Sequence, residues 1–413
     1  MFGGPLEVDG MGGRTLIGLA PSERYDQRST RGDALERLES RLRRYRGSGG
    51  GGAFVALGFD LGRPAATKAS AERARLFPNL RVAFYPSIIS WEKGAYEQYG
   101  DDSATRALFS SALDAAKARR RAPGLPPASG PVKSECTRAD YLRAIREVQH
   151  HIREGDVYQV NLSQRFSGRL SESPAVIFRR LWDKYPAPLM AYLAWGGDAV
   201  VSDSPELFLR VDGREVQTRP IKGTRRRGTT RREDRRLAAE LLVAEKDGAE
   251  LAMIVDLERN DLGRVAEFGS VDVPSFKRLV SLPTVHHLVA TVTARLREDV
   301  GLAGLLRATF PGGSVTGAPK QSAIEILSRL EPVRREFYCG AIGWLGFDGS
   351  VLLNVAIRTL HIHSGRWYLH AGGGIVADSR PDEEYEETLA KARAFFDVLG
   401  VAPIRSPARG SSC

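Results

Sequence analysis

The chain has 413 residues, 42% hydrophobic and 27% charged, with a formal net charge of +10. It has no run of about 18 apolar residues that could form a membrane-spanning helix, and its three cysteines (Cys136, Cys339, Cys413) are too scattered for a disulfide framework or a zinc pattern. The positive excess lies in short arginine clusters such as Arg119–Arg121 and Arg231–Arg236, with no aromatics between them to stack on bases, so a solvated basic surface explains it better than nucleic-acid binding.

The opening residues lack a basic segment followed by an apolar one, and the expected compartment is the reducing cytoplasm. Leu35, Leu38 and Leu42 predict an amphipathic helix over 33–45, and a glycine run at 47–52 precedes a buried strand at 53–57. A second helix is expected over 104–120, followed by the breaker-rich RAPGLPPASGP at 121–131. Thr137, with Asp140 three residues on, caps a helix whose apolar stripe is Tyr141, Ile145, Val148 and Ile152. Strands and helices then alternate to about Val398. The organisation expected is an N-terminal region over 1–120, a linker over 121–136, a main domain over 137–398 and a disordered tail over 399–413.

Residues 208–211 and 214–218 flank Asp212-Gly213, the signature of a tight hairpin turn. Glu206 stands at one open end of this hairpin, and Lys222 lies beyond the other, inside RPIKGT at 219–224. A regular ladder would put the two on opposite faces, so their meeting requires an irregular strand end, which Pro220 is placed to supply. A lysine beside a glycine turn and out of water acts as a nucleophile. From this segment alone a surface lysine is the simpler reading.

Two helical stretches carry acids three residues apart, Asp247 with Glu250 and Glu384 with Glu387. Such oxygens suit Mg²⁺, which takes one or two carboxylates and keeps water or substrate oxygens. Equally, they suit two solvated faces, with Glu387 pairing Lys391 at i,i+4. FPGGSVTGAPK at 310–320 is not a phosphate loop, because Pro319 separates its glycines from Lys320. Gly372-Gly373-Gly374 closes a predicted strand without a dinucleotide-binding unit after it. Both loops can present N–H groups to carboxylates. Arg358, read as part of a strand over 350–362, suits bidentate carboxylate binding. His287 is either a core histidine or part of a site.

Taken together, GDVYQVNLSQRF (155–166), SPELFLR (204–210), RPIKGT (219–224), AELAMIVDLERNDLGRV (249–265), FPGGSVTGAPK (310–320), YCGAIGW (338–344), NVAIRTL (354–360) and AGGGIVADSRPDEEYEETLAKA (371–392) resemble the chorismate-utilising enzymes. These include component I of anthranilate synthase and of aminodeoxychorismate synthase, and the isochorismate and salicylate synthases. The resemblance implies an α/β fold, a sandwich of antiparallel β-sheets flanked by helices with the active site between the sheets. It assigns Mg²⁺ to Glu250 and Glu387, with Asp247 and Glu384 behind them. Tyr338, Arg358 and the backbone of Gly372, Gly373 and Gly374 would hold the substrate's carboxylates. Gly223 and Thr224 would line the pocket, Lys320 would join the substrate-binding set, and His287 would help position the ring carboxylate or a reacting proton.

Lys222 matches the aminodeoxychorismate branch of the family, where anthranilate synthases usually carry alanine. Gln159 stands where isochorismate synthases carry a water-activating lysine. The implied reaction is amination of chorismate at C4 to 4-amino-4-deoxychorismate, a precursor of 4-aminobenzoate and folate, through a Lys222 adduct with Glu206 as acid. Its alternative is anthranilate synthesis by addition at C2. Ammonia would come from a separate glutamine amidotransferase subunit. The N-terminal region and Tyr185-Pro186-Ala187-Pro188 depart from the family pattern, which leaves tryptophan binding unsupported.

Overall fold

The computed structural model describes residues 1–8, 10–28, 33–47, 49–62, 73–118, 130–402 and 404. In chain order its strands are β1 (Arg14–Ile17), β2 (Glu23–Gln27), β3 (Gly52–Leu57), β4 (Leu80–Tyr85), β5 (Ile88–Glu92), β6 (Ala95–Tyr99), β7 (Lys133–Ser134), β8 (Gln159–Arg169), β9 (Leu189–Trp195) and β10 (Asp198–Ser204). They continue as β11 (Leu207–Asp212), β12 (Glu215–Arg219), β13 (Ile221–Arg226), β14 (Asp272–Ser281), β15 (Val285–Arg295), β16 (Gly317–Ala318), β17 (Ala341–Gly346), β18 (Val351–Val355), β19 (Thr359–His363) and β20 (Arg366–Ile375). The helices are α1 (Ala34–Arg43), α2 (Ser103–Ala118), α3 (Arg138–Arg153), α4 (Pro174–Lys184), α5 (Arg231–Val243), α6 (Glu245–Gly263), α7 (Leu302–Thr309), α8 (Lys320–Leu330) and α9 (Pro381–Leu399).

The larger antiparallel sheet runs β13-β15-β12-β11-β18-β17-β3-β4-β2, with β14 on β15. The second runs β16-β8-β20-β19-β10-β9, with β7 on β8, and a small sheet joins β1, β5 and β6. This is the mixed α/β arrangement of antiparallel sheets and helices that the motifs imply. The chain crosses from one large sheet to the other between β10 and β11 and again between β18 and β19. Glu206 lies in the first crossing and Arg358 in the second. On the N-terminal side, β3 pairs with β17 along its whole length, so β2–β4 extend the sheet that also holds β11–β13. Most of 121–131 and the tail beyond 404 lie outside the described residues. No described helix is long and apolar enough to cross a membrane.

Local signals place the elements well where a cap or stripe exists. The Thr137 side chain accepts from the Asp140 N–H at 3.1 Å, and α3 buries Tyr141, Ile145 and Val148. Four expectations need correction. Asp212 pairs with Glu215, so the hairpin turns on Gly213-Arg214, one residue later than expected, with Gly213 at φ 59°. Arg358 is not in a strand: β18 and β19 belong to different sheets, and Arg358 sits in the bend between them at φ 48°. The triple glycine does not end a strand but lies inside β20, which runs on to Ile375.

The fourth concerns how Glu206 reaches Lys222. Pro220 leaves the register unchanged, because Thr218 pairs with Val292 and Ile221 with Val289 on one continuous β15. The irregularities lie on either side of it. Leu207 pairs with Arg219 but Arg210 with Gln217, a one-residue bulge in β11. That bulge sets Glu206 level with Pro220 and therefore on the face that Lys222, two residues further, also takes. A second bulge at Gly223, between Lys222 and Thr224, uses φ 67°.

Between the sheets lies a fully buried ion pair. Arg335 (0% exposed) donates to Glu331 through Nε at 2.8 Å and Nη2 at 2.7 Å, to the Val315 carbonyl at 3.0 Å, and to the Asn161 carbonyl. Glu331 in turn accepts from the Ser163 N–H at 2.9 Å and hydroxyl at 2.7 Å. Removing one partner strands the other charge, so Arg335→Leu should cost about 3–5 kcal/mol, read as a lower midpoint in urea unfolding.

Candidate active site

The register shift in β11 places a carboxyl and an amine on one surface of the large sheet. Glu206 is 3% exposed, and one of its oxygens, Oε1, has no hydrogen-bond partner. Burial pushes its carboxyl up to about 7 against the pull of nearby Lys222. Lys222 is partly accessible along its stem, but its amine lies deep, and burial lowers its pKa against the opposing fields of Glu250 and Glu206. The Lys222 Nζ donates to the Ser314 carbonyl at 3.4 Å. Burial therefore acts in the same sense on both groups, favouring the neutral acid and the neutral amine.

The first two turns of α6 and α9 bring the acidic pairs to this surface. On α6, Asp247 pairs with Arg225 at 2.9 Å, and burial raises Glu250. On α9, Glu384 accepts from the Ser379 hydroxyl at 2.6 Å and is raised by burial. Glu387 pairs with Lys391 at 2.6 Å, and its side chain is 49% exposed. Burial acts upward on its carboxyl, but Lys391 outweighs it and the group falls below the ordinary range. The i,i+4 pair is thus real and also belongs to the site. Gly373 explains why: a Cβ there would come within 3.2 Å of Glu384 Oε2 and 3.5 Å of Glu387 Oε1. Among the described residues, no three His, Cys, Asp or Glu side chains converge enough to hold a metal by themselves. Two carboxylates with open sides fit Mg²⁺, which fills the rest of its shell with water and substrate oxygens.

His287 lies beside Lys222's neighbours on β15. Its Nδ1 meets Thr224 Oγ1 at 3.0 Å and the Gly223 carbonyl at 3.3 Å, while Nε2 has no partner. Burial, then the charge of Arg358, lowers it to about 3, so the ring is neutral at physiological pH. Arg358 has no hydrogen bond or ion pair from its side chain among the described residues. Its charge acts on both His287 and buried Asp203. An arginine without a protein anion is suited to a ligand carboxylate.

Gly372, Gly373 and Gly374 pair with Ser163, Leu162 and Asn161 on one side, while β19 stops its pairing with β20 at Leu360–Leu369. Their other side is free of a strand, and the Gly372 carbonyl accepts from Lys391 Nζ at 2.8 Å. The structure therefore gathers Lys222, Glu206, Gly223, Thr224, His287, Arg358, the triple glycine and both acidic pairs. Tyr338 is placed deeper, 3% exposed, with its ring stacked on His370 at 5.1 Å. Lys320 is placed apart: its ammonium is taken by Asp261 at 2.5 Å and the Thr309 carbonyl at 2.9 Å. Sequence reading missed Ser314 and took Lys391 only as a helix-face partner of Glu387. Ser314 stands in the loop set aside as a failed phosphate site, and only its approach to Lys222 and Glu206 reveals it. Its hydroxyl is near Glu206 without completing a hydrogen bond.

Comparison with known proteins gives the following similarities. A family profile described as chorismate binding enzyme matches residues 9–397. Anthranilate synthase component 1 1 of Haloarcula marismortui is 42% identical over 355 residues, covering 81% of this chain and 72% of the relative. Aminodeoxychorismate synthase component 1 of Escherichia coli K12 is 42% identical over 354 residues, covering 84% and 77%. The crystal structure of anthranilate synthase component I from Streptococcus pneumoniae TIGR4 superposes with a TM-score of 0.78 at 27% identity, covering 94% of this chain and 93% of that one.

The bulge that follows Lys222 depends on Gly223. A Cβ there meets Leu241 Cδ1 at 2.9 Å and Asp247 Cβ at 3.0 Å, at φ 67°. Gly223→Ala should lower stability by about 1–3 kcal/mol in denaturant unfolding.

Proposed function

The chain belongs to the chorismate binding enzyme family, and on that premise we propose that it aminates chorismate at C4 to give 4-amino-4-deoxychorismate. Lys222 attacks C2 as a neutral amine while Glu206 gives its proton to the C4 hydroxyl, which leaves as water. Ammonia then bonds to C4, the C2–N bond breaks, and Lys222 is restored. The observation that carries this reading is the placement of Lys222 and Glu206 on one face, where burial holds the amine's pKa down and the acid at about 7.

Glu250 and Glu387 would hold Mg²⁺, with Asp247 and Glu384 behind them in its outer shell. When bound, the ion supplies positive charge to the substrate's ring carboxylate. Arg358 and the open edge of Gly372–Gly374 would take the second carboxylate. Tyr338 would back that wall, and neutral His287 would accept or donate one hydrogen bond through Nε2. Lys320 serves the loop's structure in this reading. Ammonia is expected from a separate glutamine amidotransferase subunit in the cytoplasm. The alternative, component I of anthranilate synthase, rests on relatives of that name at equal identity. It leaves a buried lysine beside C2 without a task.

The test is incubation with chorismate, ammonium and Mg²⁺. The expected result is chorismate loss without anthranilate fluorescence, and a chorismate-derived mass on Lys222 that Lys222→Ala abolishes. Anthranilate formed by the unaltered chain would reject amination at C4. Because the proton must be on Glu206, kcat/KM should fall as pH rises through about 7. Glu206→Gln should remove that dependence and lower the rate at least about 100-fold.

A further inference from the structure

We propose that Lys391 is a displaceable counter-ion, holding the Glu387 oxygen that Mg²⁺ needs until a substrate carboxylate draws the ammonium away. Metal and chorismate then bind as a pair. The proposal rests on the reading that Glu250 and Glu387 hold the ion.

Glu387 and Lys391 stand one turn apart on α9, the spacing at which a helix brings an acid and a base together. One particular oxygen makes the contact: Lys391 Nζ lies 2.6 Å from Glu387 Oε1. That oxygen is also the one nearest the triple glycine, since a Cβ at Gly373 would stand 3.5 Å from it and 3.2 Å from Glu384 Oε2. The same Nζ donates to the Gly372 carbonyl at 2.8 Å, which ties α9 to the glycine stretch of β20. The ammonium is therefore held between the acid and the strand edge where a substrate carboxylate is expected.

Ammonium and metal compete for Oε1. Mg²⁺ sits about 2.0–2.1 Å from a ligating oxygen, so both on Oε1 would stand no more than about 5 Å apart. Two cations at that separation repel, and partial burial strengthens the repulsion. The balance of charge shows how far Glu387 relies on its partner. Burial acts upward on Glu250, Glu384 and Glu387 alike, yet only Glu387 falls below the ordinary range. There the charge and hydrogen bond of Lys391 outweigh burial, with Lys222 and Lys246 acting in the same sense.

The lysine is free to exchange partners. Its side chain is 42% exposed on a flexible four-carbon stem, in contrast to the wholly buried fork of Arg335. A substrate carboxylate at the open edge of Gly372–Gly374 offers Nζ a new anion while the bond to the Gly372 carbonyl persists. Glu387 Oε1 is then released to the metal. Each ligand removes the other's competitor, which is positive coupling between two sites.

The experiment counts free Mn²⁺ by electron paramagnetic resonance in titrations of the full chain, Mn²⁺ standing in for Mg²⁺ at oxygen ligands. Without chorismate, Lys391→Met should bind Mn²⁺ about tenfold more tightly than the unaltered chain. Lys391→Gln should show the same gain, and Lys391→Arg, which keeps the charge, should show none. In Glu206→Gln, where turnover is slowed, chorismate should tighten Mn²⁺ binding about tenfold. Adding Lys391→Met to that chain should remove most of this effect. Neutral variants that bind Mn²⁺ no more tightly, or a chorismate effect undiminished by Lys391→Met, overturn the counter-ion role and leave the metal assignment standing. A lowered unfolding midpoint without any gain in Mn²⁺ affinity overturns it in favour of a structural tie between α9 and β20. Mn²⁺ binding that Glu387→Gln does not weaken rejects the metal assignment, and the counter-ion role with it.

Discussion

The Arg335 guanidinium holds together three parts of the molecule that share no secondary structure. Its donors end on β8, on the residue after Ser314, and on Glu331 past the end of α8. Nothing else buried there can satisfy two carbonyls and a carboxylate at once, because only a guanidinium offers a rigid fork of donors. The loop after α7 is thereby fixed against the second sheet. That loop carries the Ser314 carbonyl to Lys222, so the surface around Lys222 inherits part of its geometry from a buried charge pair.

The active surface itself results from two single-residue insertions into otherwise regular ladders. In a strand pair the side-chain period is two, so one extra residue exchanges the faces. The bulge in β11 moves Glu206 onto the face of Lys222, and the bulge at Gly223 turns Thr224 toward His287. Once the groups are gathered, burial does the electrostatic work. Removing water penalises charge in both an amine and an acid, and each moves toward its neutral form. The residual attraction between them only moderates this effect.

Helix ends and crossings supply the rest. The two acidic pairs project from the opening turns of α6 and α9, and Gly373 leaves the space a side chain would otherwise fill beside the α9 pair. Glu206 and Arg358 each sit at a point where the chain passes between the large sheets. A crossing is where ladder pairing lapses and side chains can face the gap between layers, so reactive groups collect there without unpairing a strand interior.

Local chemistry alone determined a good deal. The Thr137 cap, the α3 stripe, the glycine-flanked Lys222 and the i,i+3 spacing of the acids were legible because each depends on neighbours within one helical turn or one hairpin. The ordered motifs from 155 to 392 also identified the family. Pairing across the fold was not legible. Pro220 looked like the device that re-aims Lys222, yet the register change sits at Phe208–Leu209 and Gly223, where β11, β18 and β15 must accommodate one another. Lys320 looked available for substrate but is consumed by Asp261, 59 residues away in the chain. Sequence alone determined which residues could react. Only the tertiary structure decided which of them meet and which lose their water, because register and burial are set by contacts between segments far apart in the chain.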